Sequence, residues 1–173
     1  MKIFRFLNVI VCCFLFVLTA TAQSNLAISR EYSNDAIAGM IRKYKRSNSR
    51  DVIPPAELAT KFKSDFAKAS KIEWEFAEKI YEVEFEVKFR DCKAYYDVKG
   101  NLLMLVEEIY RSELPAVVKN AAEAKYPKYR FEDIDKIRRG TEVFYKIEME
   151  LRDTEVKLLI KSDGVVLDEK FDY

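Results

Sequence analysis

The stretch Tyr81-Glu-Val-Glu-Phe-Glu-Val-Lys-Phe89 decides the fold. Tyr81, Val83, Phe85, Val87 and Phe89 alternate with Glu82, Glu84, Glu86 and Lys88. Period 2 puts the apolar set on one face of a strand and the charged set on the other. A helix would spread the same glutamates around its whole circumference. Tyr145-Lys-Ile-Glu-Met-Glu-Leu151 shows the same alternation at an offset of 64 residues.

The surroundings of the two stretches correspond as well. Before the first, Pro54-Pro55 opens a predicted helix in which Leu58, Phe62 and Phe66 form one stripe at i, i+4 and i+8. Ile72, Trp74 and Phe76 then alternate with Glu73 and Glu75. After it, Arg90-Asp91 is the expected turn, Ala94, Tyr96 and Val98 mark a third strand, and Lys99-Gly100-Asn101 is a hairpin turn in which glycine supplies positive φ. Leu102 to Ile109 is the fourth strand, its unbroken apolar start predicting burial on both faces.

The pattern restarts at Pro115, with Val118, Ala122 and Tyr126 at i, i+4 and i+8 and Pro127 as the stop. Arg130–Ile137, Glu142–Leu151, Val156–Ile160 and Val165–Tyr173 supply four more strands, with turns at Arg138–Thr141 and Ser162-Asp163-Gly164. The halves match at an offset of 60 through the helix and 64 after it, the extra four residues being assigned to a longer Arg138–Thr141 turn. The expected fold is therefore α+β: a tandem repeat of a helix-plus-four-strand unit, residues 54–111 and 112–173, forming one curved eight-stranded antiparallel sheet with two helices on its convex face.

Two segments precede the repeats. Residues 1–22 read as a signal peptide: Lys2 and Arg5, an apolar run from Val9 to Leu18, then Ala20-Thr-Ala22 before Gln23. The mature chain is then exported, periplasmic or extracellular. Residues 23–53 form a basic N-terminal arm or linker, part helical over 34–46, where Ile37, Ile41 and Tyr44 have helical spacing. Its Arg42, Lys43, Lys45, Arg46 and Arg50 suit either a solvated linker helix, the expected case, or a patch docking on anionic lipid or an acidic partner.

A resemblance rests on five motifs: Lys71-Ile-Glu-Trp-Glu75, Tyr81-Glu-Val-Glu-Phe85, Lys99-Gly100-Asn101 before Leu102-Leu103, Glu113-Leu-Pro115, and Lys125-Tyr-Pro127-Lys-Tyr129. Over residues 54–173 the chain resembles the PepSY-like family of small exported bacterial proteins, also described as β-lactamase-inhibitor-like. The resemblance implies helices on the convex side of a curved sheet, a concave face open for binding, and no catalytic residues. The second half departs from the pattern in having Ile134 where the first has Trp74.

Composition excludes most enzymes. Histidine is absent, which removes the usual general base, metal ligand and triad partner. Without Lys2 and Arg5 the 30 basic residues become 28 against 29 acidic ones, a balance that gives no reason to expect nucleic acid. The glutamate row could suggest paired catalytic carboxylates, but a one-in-two row spreads them over open surface. No loop has calcium-ligand spacing and no glycine-rich phosphate loop exists, so no cofactor or metal is expected. Cys92 shares the apolar parity of Ala94 and Tyr96 and reads as a small core hydrophobe.

A few apolar residues fall on the charged parity: Tyr95, Phe144 and Leu159. Exposed aromatics ringed by charge anchor interfaces. With Glu82 and Glu84 they make the candidate partner-binding set. The expected function is a non-enzymatic binding or inhibitor-like module that holds an unidentified protein partner on its open sheet face. The alternatives are a small-ligand carrier, which the bulk of Phe62, Phe66, Trp74 and Phe85 disfavours, and an envelope structural or stress protein binding through the arm.

Overall fold

The computed structural model describes residues 26–172; residues 1–22, expected to be a signal peptide, lie outside them with Cys12 and Cys13. Helix α1 (Asn34–Lys45) is followed by a short strand β1 (Arg50–Asp51), helix α2 (Ala56–Asp65) and strands β2 (Ser70–Ala77), β3 (Ile80–Val87), β4 (Arg90–Asp97) and β5 (Leu102–Glu108). A short 3-10 turn (Arg111–Glu113) leads to helix α3 (Ala116–Lys125) and strands β6 (Arg130–Arg139), β7 (Glu142–Leu151), β8 (Thr154–Lys161) and β9 (Val166–Asp172). The strands form one antiparallel sheet in sequence order from β1 to β9.

The repeat is visible in the backbone. Pro55 and Pro115 precede α2 and α3 with φ of −53° and −56°, and Phe66 and Tyr126 end them with φ of −128° and −130°. Strands β4 and β5 recur as β8 and β9 at an offset of 64. The four extra residues do not lengthen the turn. Gly140-Thr141 is as short as Glu78-Lys79, and β6 and β7 are instead each two residues longer than β2 and β3, so that Arg138 pairs with Val143 and Arg139 with Glu142. Additional ladder hydrogen bonds satisfy backbone groups that a longer loop would leave to water.

Alternation placed most strand residues on the correct face. Leu58 and Phe62 of α2 pack on Val83, Phe85, Ala94, Tyr96 and Leu105. Val118 and Ala122 of α3 pack on Ile147, Met149, Val156, Leu158 and Ile160. The register puts these residues on one side of the sheet. The space under α2 is filled by rings: Phe62 lies with centroid distances of 4.9 Å to Phe85, 5.2 Å to Phe66 and 5.3 Å to Trp74. Cys92 is buried there too, and burial, with Glu107 and Asp91 nearby, pushes its thiol up to about 12.

Three expectations are corrected. The sheet has nine strands rather than eight, because the chain leaving α1 returns along the outer edge of β2, Arg50 opposite Phe76 and Asp51 opposite Glu75. Phe89 is not in the buried row. The β3–β4 turn is Lys88-Phe89, so β3 ends at Val87 and Phe89 is 97% exposed. Val98 likewise falls in a turn and is exposed.

The third correction concerns the arm. The solvated linker helix expected at 34–46 is a packed element. Ser33 caps α1 by accepting from the Ala36 N–H at 3.2 Å, and Ile37, Ile41 and Tyr44 are buried against Ile80, Tyr95, Leu103 and Met104. Those strand residues face away from α2 and α3, so α1 covers the opposite side of the sheet. This explains the double burial at the start of β5: Leu102 and Leu105 meet the α2 core, while Leu103 and Met104 meet α1.

Candidate binding face

The sheet face opposite α2 and α3 has two unequal halves. In the first, the arm wraps the sheet. Leu26 and Ile28 lie against the α2 core, and the Ser29 N–H donates to the Leu102 carbonyl at 2.8 Å. The Tyr32 hydroxyl then donates to Asp97 Oδ2 at 2.9 Å, and α1 follows on the other face. Asp97 is almost fully buried and is also the acceptor for the Lys99 and Asn101 N–H groups, at 2.8 and 2.9 Å, and for Asn101 Nδ2 at 2.9 Å. One carboxylate thus shapes the β4–β5 hairpin and anchors the arm to it.

All five candidate residues lie on this face, as their parity predicted, but α1 changes what that means. Tyr95 is 2% exposed and meets the Tyr44 ring edge-on, with centroids 5.8 Å apart. Glu82, opposite Tyr95 in the ladder, is 8% exposed. Burial is the main cause holding its carboxyl above the usual range; Glu84 adds to it, and the Tyr95 hydroxyl and Lys93 pull the other way. Burial, with the Glu82 charge, also pushes up the Tyr95 and Tyr44 hydroxyls. Tyr44 in turn donates to Glu75 at 3.2 Å, an acceptor it shares with Ser49. The site expected to be a solvent-facing anchor is a polar seam between α1 and the sheet.

Phe144 is buried as well, 3% exposed, with the Arg139 guanidinium 4.6 Å above its ring. It lies in one cross-strand row with Glu84, Lys93, Val106, Ile137 and Lys161. Glu84 is exposed and pairs with Lys93 at 2.5 Å. Leu159 is half-buried opposite Lys146.

The second half of the face carries no counterpart of α1 among the described residues. At the repeat offset the Glu82–Tyr95 pair becomes Lys146–Leu159. Around Leu159 lies a network of alternating charge: Lys146 with Glu148 at 2.5 Å and Asp135 at 3.6 Å, Lys157 with Glu155 at 3.0 Å and Glu148 at 3.6 Å, and Lys161 with Glu142 at 3.6 Å. Such pairs add little stability, but they present a fixed pattern of charge to anything approaching. Among the described residues no three His, Cys, Asp or Glu side chains converge as metal ligands would. A separate half-open cleft of about 610 Å³ lies between Tyr110, the end of α3 and the start of β6.

A family model described as "Putative beta-lactamase-inhibitor-like, PepSY-like" matches residues 27–104 and again residues 105–168, the division falling inside β5. Among solved structures, a BLIP-like protein from Bacteroides fragilis superposes with a TM-score of 0.58 at 22% identity, covering 69% of this chain and 87% of its own. A DUF2874 family protein from Bacteroides uniformis gives 0.60 at 18% identity, covering 69% and 90%. A chain from Bacteroides eggerthii described as "putative periplasmic proteins" gives 0.62 at 17% identity, covering 69% and 90%. At these identities the likeness is one of fold. No curated protein matches the chain.

Proposed function

The chain belongs to the PepSY-like family, and on that premise we propose that it is an exported, non-enzymatic, inhibitor-like binding module that holds a protein partner on the uncovered second half of its sheet face. The observation that carries this reading is the asymmetry of the two repeats. One half of the face is sealed by α1, and the equivalent half presents Leu159 within the Lys146–Glu148–Lys157 network. Such a surface sets orientation and on-rate by charge complementarity and supplies a small apolar centre. The family resemblance supports a curved sheet with α2 and α3 on its convex side, which would make this face concave.

Of the candidate residues, Leu159 stands in the proposed contact, while Glu84, on β3, lies five strands away in the first half of the face. Tyr95, Glu82 and Phe144 act from beneath, by fixing α1 and the strand row. The absence of histidine and the leader-like residues 1–22 favour a non-catalytic, exported role. No helix among the described residues is long and apolar enough to cross a membrane. The small-ligand reading is weaker, because Phe62, Phe66, Trp74 and Phe85 fill the space between α2 and the sheet.

The test is affinity capture from the native envelope with the processed chain, its Leu159→Arg variant and its Lys146→Glu variant. Specific capture lost in both variants supports the reading. Capture retained in both overturns it. Deleting residues 23–53 is not a clean test of the arm, since it would uncover Ile80, Tyr95 and Met104; charge reversal at Arg42, Lys43 and Lys45 is the suitable substitute.

A further inference from the structure

The Lys88-Phe89 turn breaks two rules at once. Both residues have positive φ, 54° and 64°, in a two-residue hairpin turn where Asn-Gly is the usual solution. Phe89 also exposes nearly its whole side chain to water. The β2–β3 turn Glu78-Lys79 uses the same backbone, with φ of 51° and 66°, so what sets the Lys88-Phe89 turn apart is its side chain: a phenylalanine there serves neither the turn nor the core.

Its surroundings indicate what the function is. Because the sheet is antiparallel throughout, alternate connections meet at one end, which gathers the start of β2, the β3–β4 turn, the end of β5, the start of β6 and the β7–β8 turn. Four exposed cations stand there with no ion-pair partner among the described residues: Lys68, Lys88, Lys128 and Arg152. They are two pairs of repeat equivalents, Lys68 with Lys128 and Lys88 with Arg152. Other cations of this end are paired, Lys71 with Glu86, Arg90 with Glu113, Arg111 with Glu123 and Arg130 with Glu150. Asp91 and Asp153 are the exposed acids beside the two turns. Tyr110, also exposed, lies under the guanidinium of Arg90, the residue that follows Phe89, at 4.2 Å.

From β2 to β8 this edge runs roughly 30 Å at about 4.8 Å per strand. Cations gathered round one pocket would suit a single acidic side chain of a partner. Spread along one edge of the sheet, with one aromatic at the tip of a turn, they match an extended anionic surface.

We propose that this end of the sheet docks on an anionic phospholipid surface, with Phe89 entering the headgroup boundary and Lys68, Lys88, Lys128 and Arg152 meeting phosphates. Phe89 then leaves water on docking, which gives the exposed ring its use. The sheet would stand on the membrane by one end, leaving the uncovered part of its face around Leu159 free. This inference does not rest on the protein-binding reading above.

The test is vesicle co-sedimentation of the processed chain with phosphatidylcholine vesicles, with and without phosphatidylglycerol. The wild-type chain is expected to sediment only with the phosphatidylglycerol vesicles. Phe89→Asn should weaken partitioning about tenfold, the order expected for losing one partly inserted aromatic ring. It should also raise the melting temperature, since asparagine tolerates positive φ, so the loss cannot be laid to unfolding. Changing Lys68, Lys88, Lys128 and Arg152 to Gln should abolish the dependence on phosphatidylglycerol, while Arg42→Gln with Lys45→Gln in α1 should change nothing. Failure of the wild-type chain to bind, undiminished binding by Phe89→Asn, or loss of binding in the α1 variant would each overturn the proposal. So would a Phe89→Asn variant that binds vesicles normally but no longer captures a protein, which would assign the edge to a protein partner.

Discussion

The Tyr44 ring stands edge-on against Tyr95, at 5.8 Å between centroids and an interplanar angle of 80°. That contact joins the last turn of α1 to the middle of β4, and it converts half of an apparently open sheet face into a second core. Removing it should be costly. Tyr44→Ala leaves a cavity between α1 and the sheet and removes the hydroxyl that donates to Glu75, and should destabilise the chain by about 3–5 kcal/mol in urea unfolding. A solvated linker helix would give a change near zero.

Two glycines separate helix stability from docking. Gly39 lies inside α1 with nothing within 4 Å of where a Cβ would be. Gly39→Ala should therefore stabilise the chain by about 0.5–1 kcal/mol through helix propensity. Gly140 has φ of +57°, and a Cβ there would collide with Asn34 Oδ1, which accepts from the Thr141 N–H at 3.0 Å. Gly140→Ala should destabilise by about 1–3 kcal/mol through strain and loss of that bond. Thermal melts of the two variants should shift in opposite directions.

Glu82 makes stability depend on pH. Its carboxyl titrates higher in the folded chain than in the unfolded one, chiefly because it is buried, so the native state holds the proton more tightly. Its favourable contribution is present in full below the unfolded carboxylate value and is lost as pH rises through the folded one. Asp135, pushed up by burial and by Asp133, acts in the same direction. Glu82→Gln should accordingly raise the melting temperature at neutral pH, leave it nearly unchanged in acid, and flatten the profile between. A variant stabilised equally at all pH values would refute this account of Glu82.

Cys92 should be inert in the native chain. Its thiol, raised to about 12 by burial, presents almost no thiolate at neutral pH. Thiol-specific labelling should be slow in buffer and complete in denaturant, and non-reducing gels should show no Cys92-linked dimer. Rapid native labelling would place Cys92 outside the α2 core.

Much of the architecture could be read from the sequence because it depends on local periodicity. Alternation identified the faces of β3, β4, β7 and β8, and proline with i, i+4 spacing identified α2 and α3. The helical spacing of Ile37, Ile41 and Tyr44 also revealed α1. What periodicity does not encode is where an amphipathic helix docks. The surface that receives α1 is assembled from Ile80, Tyr95, Leu103 and Met104, on three strands. Two of these residues had clues: Tyr95 broke the charged parity, and the apolar start of β5 required a cover on both sides. Phe89 shows the opposite failure. It continues the alternation of β3, and only the choice of Lys88-Phe89 as the turn, fixed by pairing Val87 with Arg90, removes it from the buried row.

The most direct test of the proposed binding face is site-specific photo-crosslinking in the native envelope, with the photoreactive residue placed either at Leu159 or at Val117, an exposed position of α3 on the other side of the sheet. The account predicts one discrete protein adduct from Leu159, lost when Lys146 and Lys157 are changed to Glu, and none from Val117. The same adduct from Val117, or an adduct from Leu159 that survives both charge reversals, would contradict it.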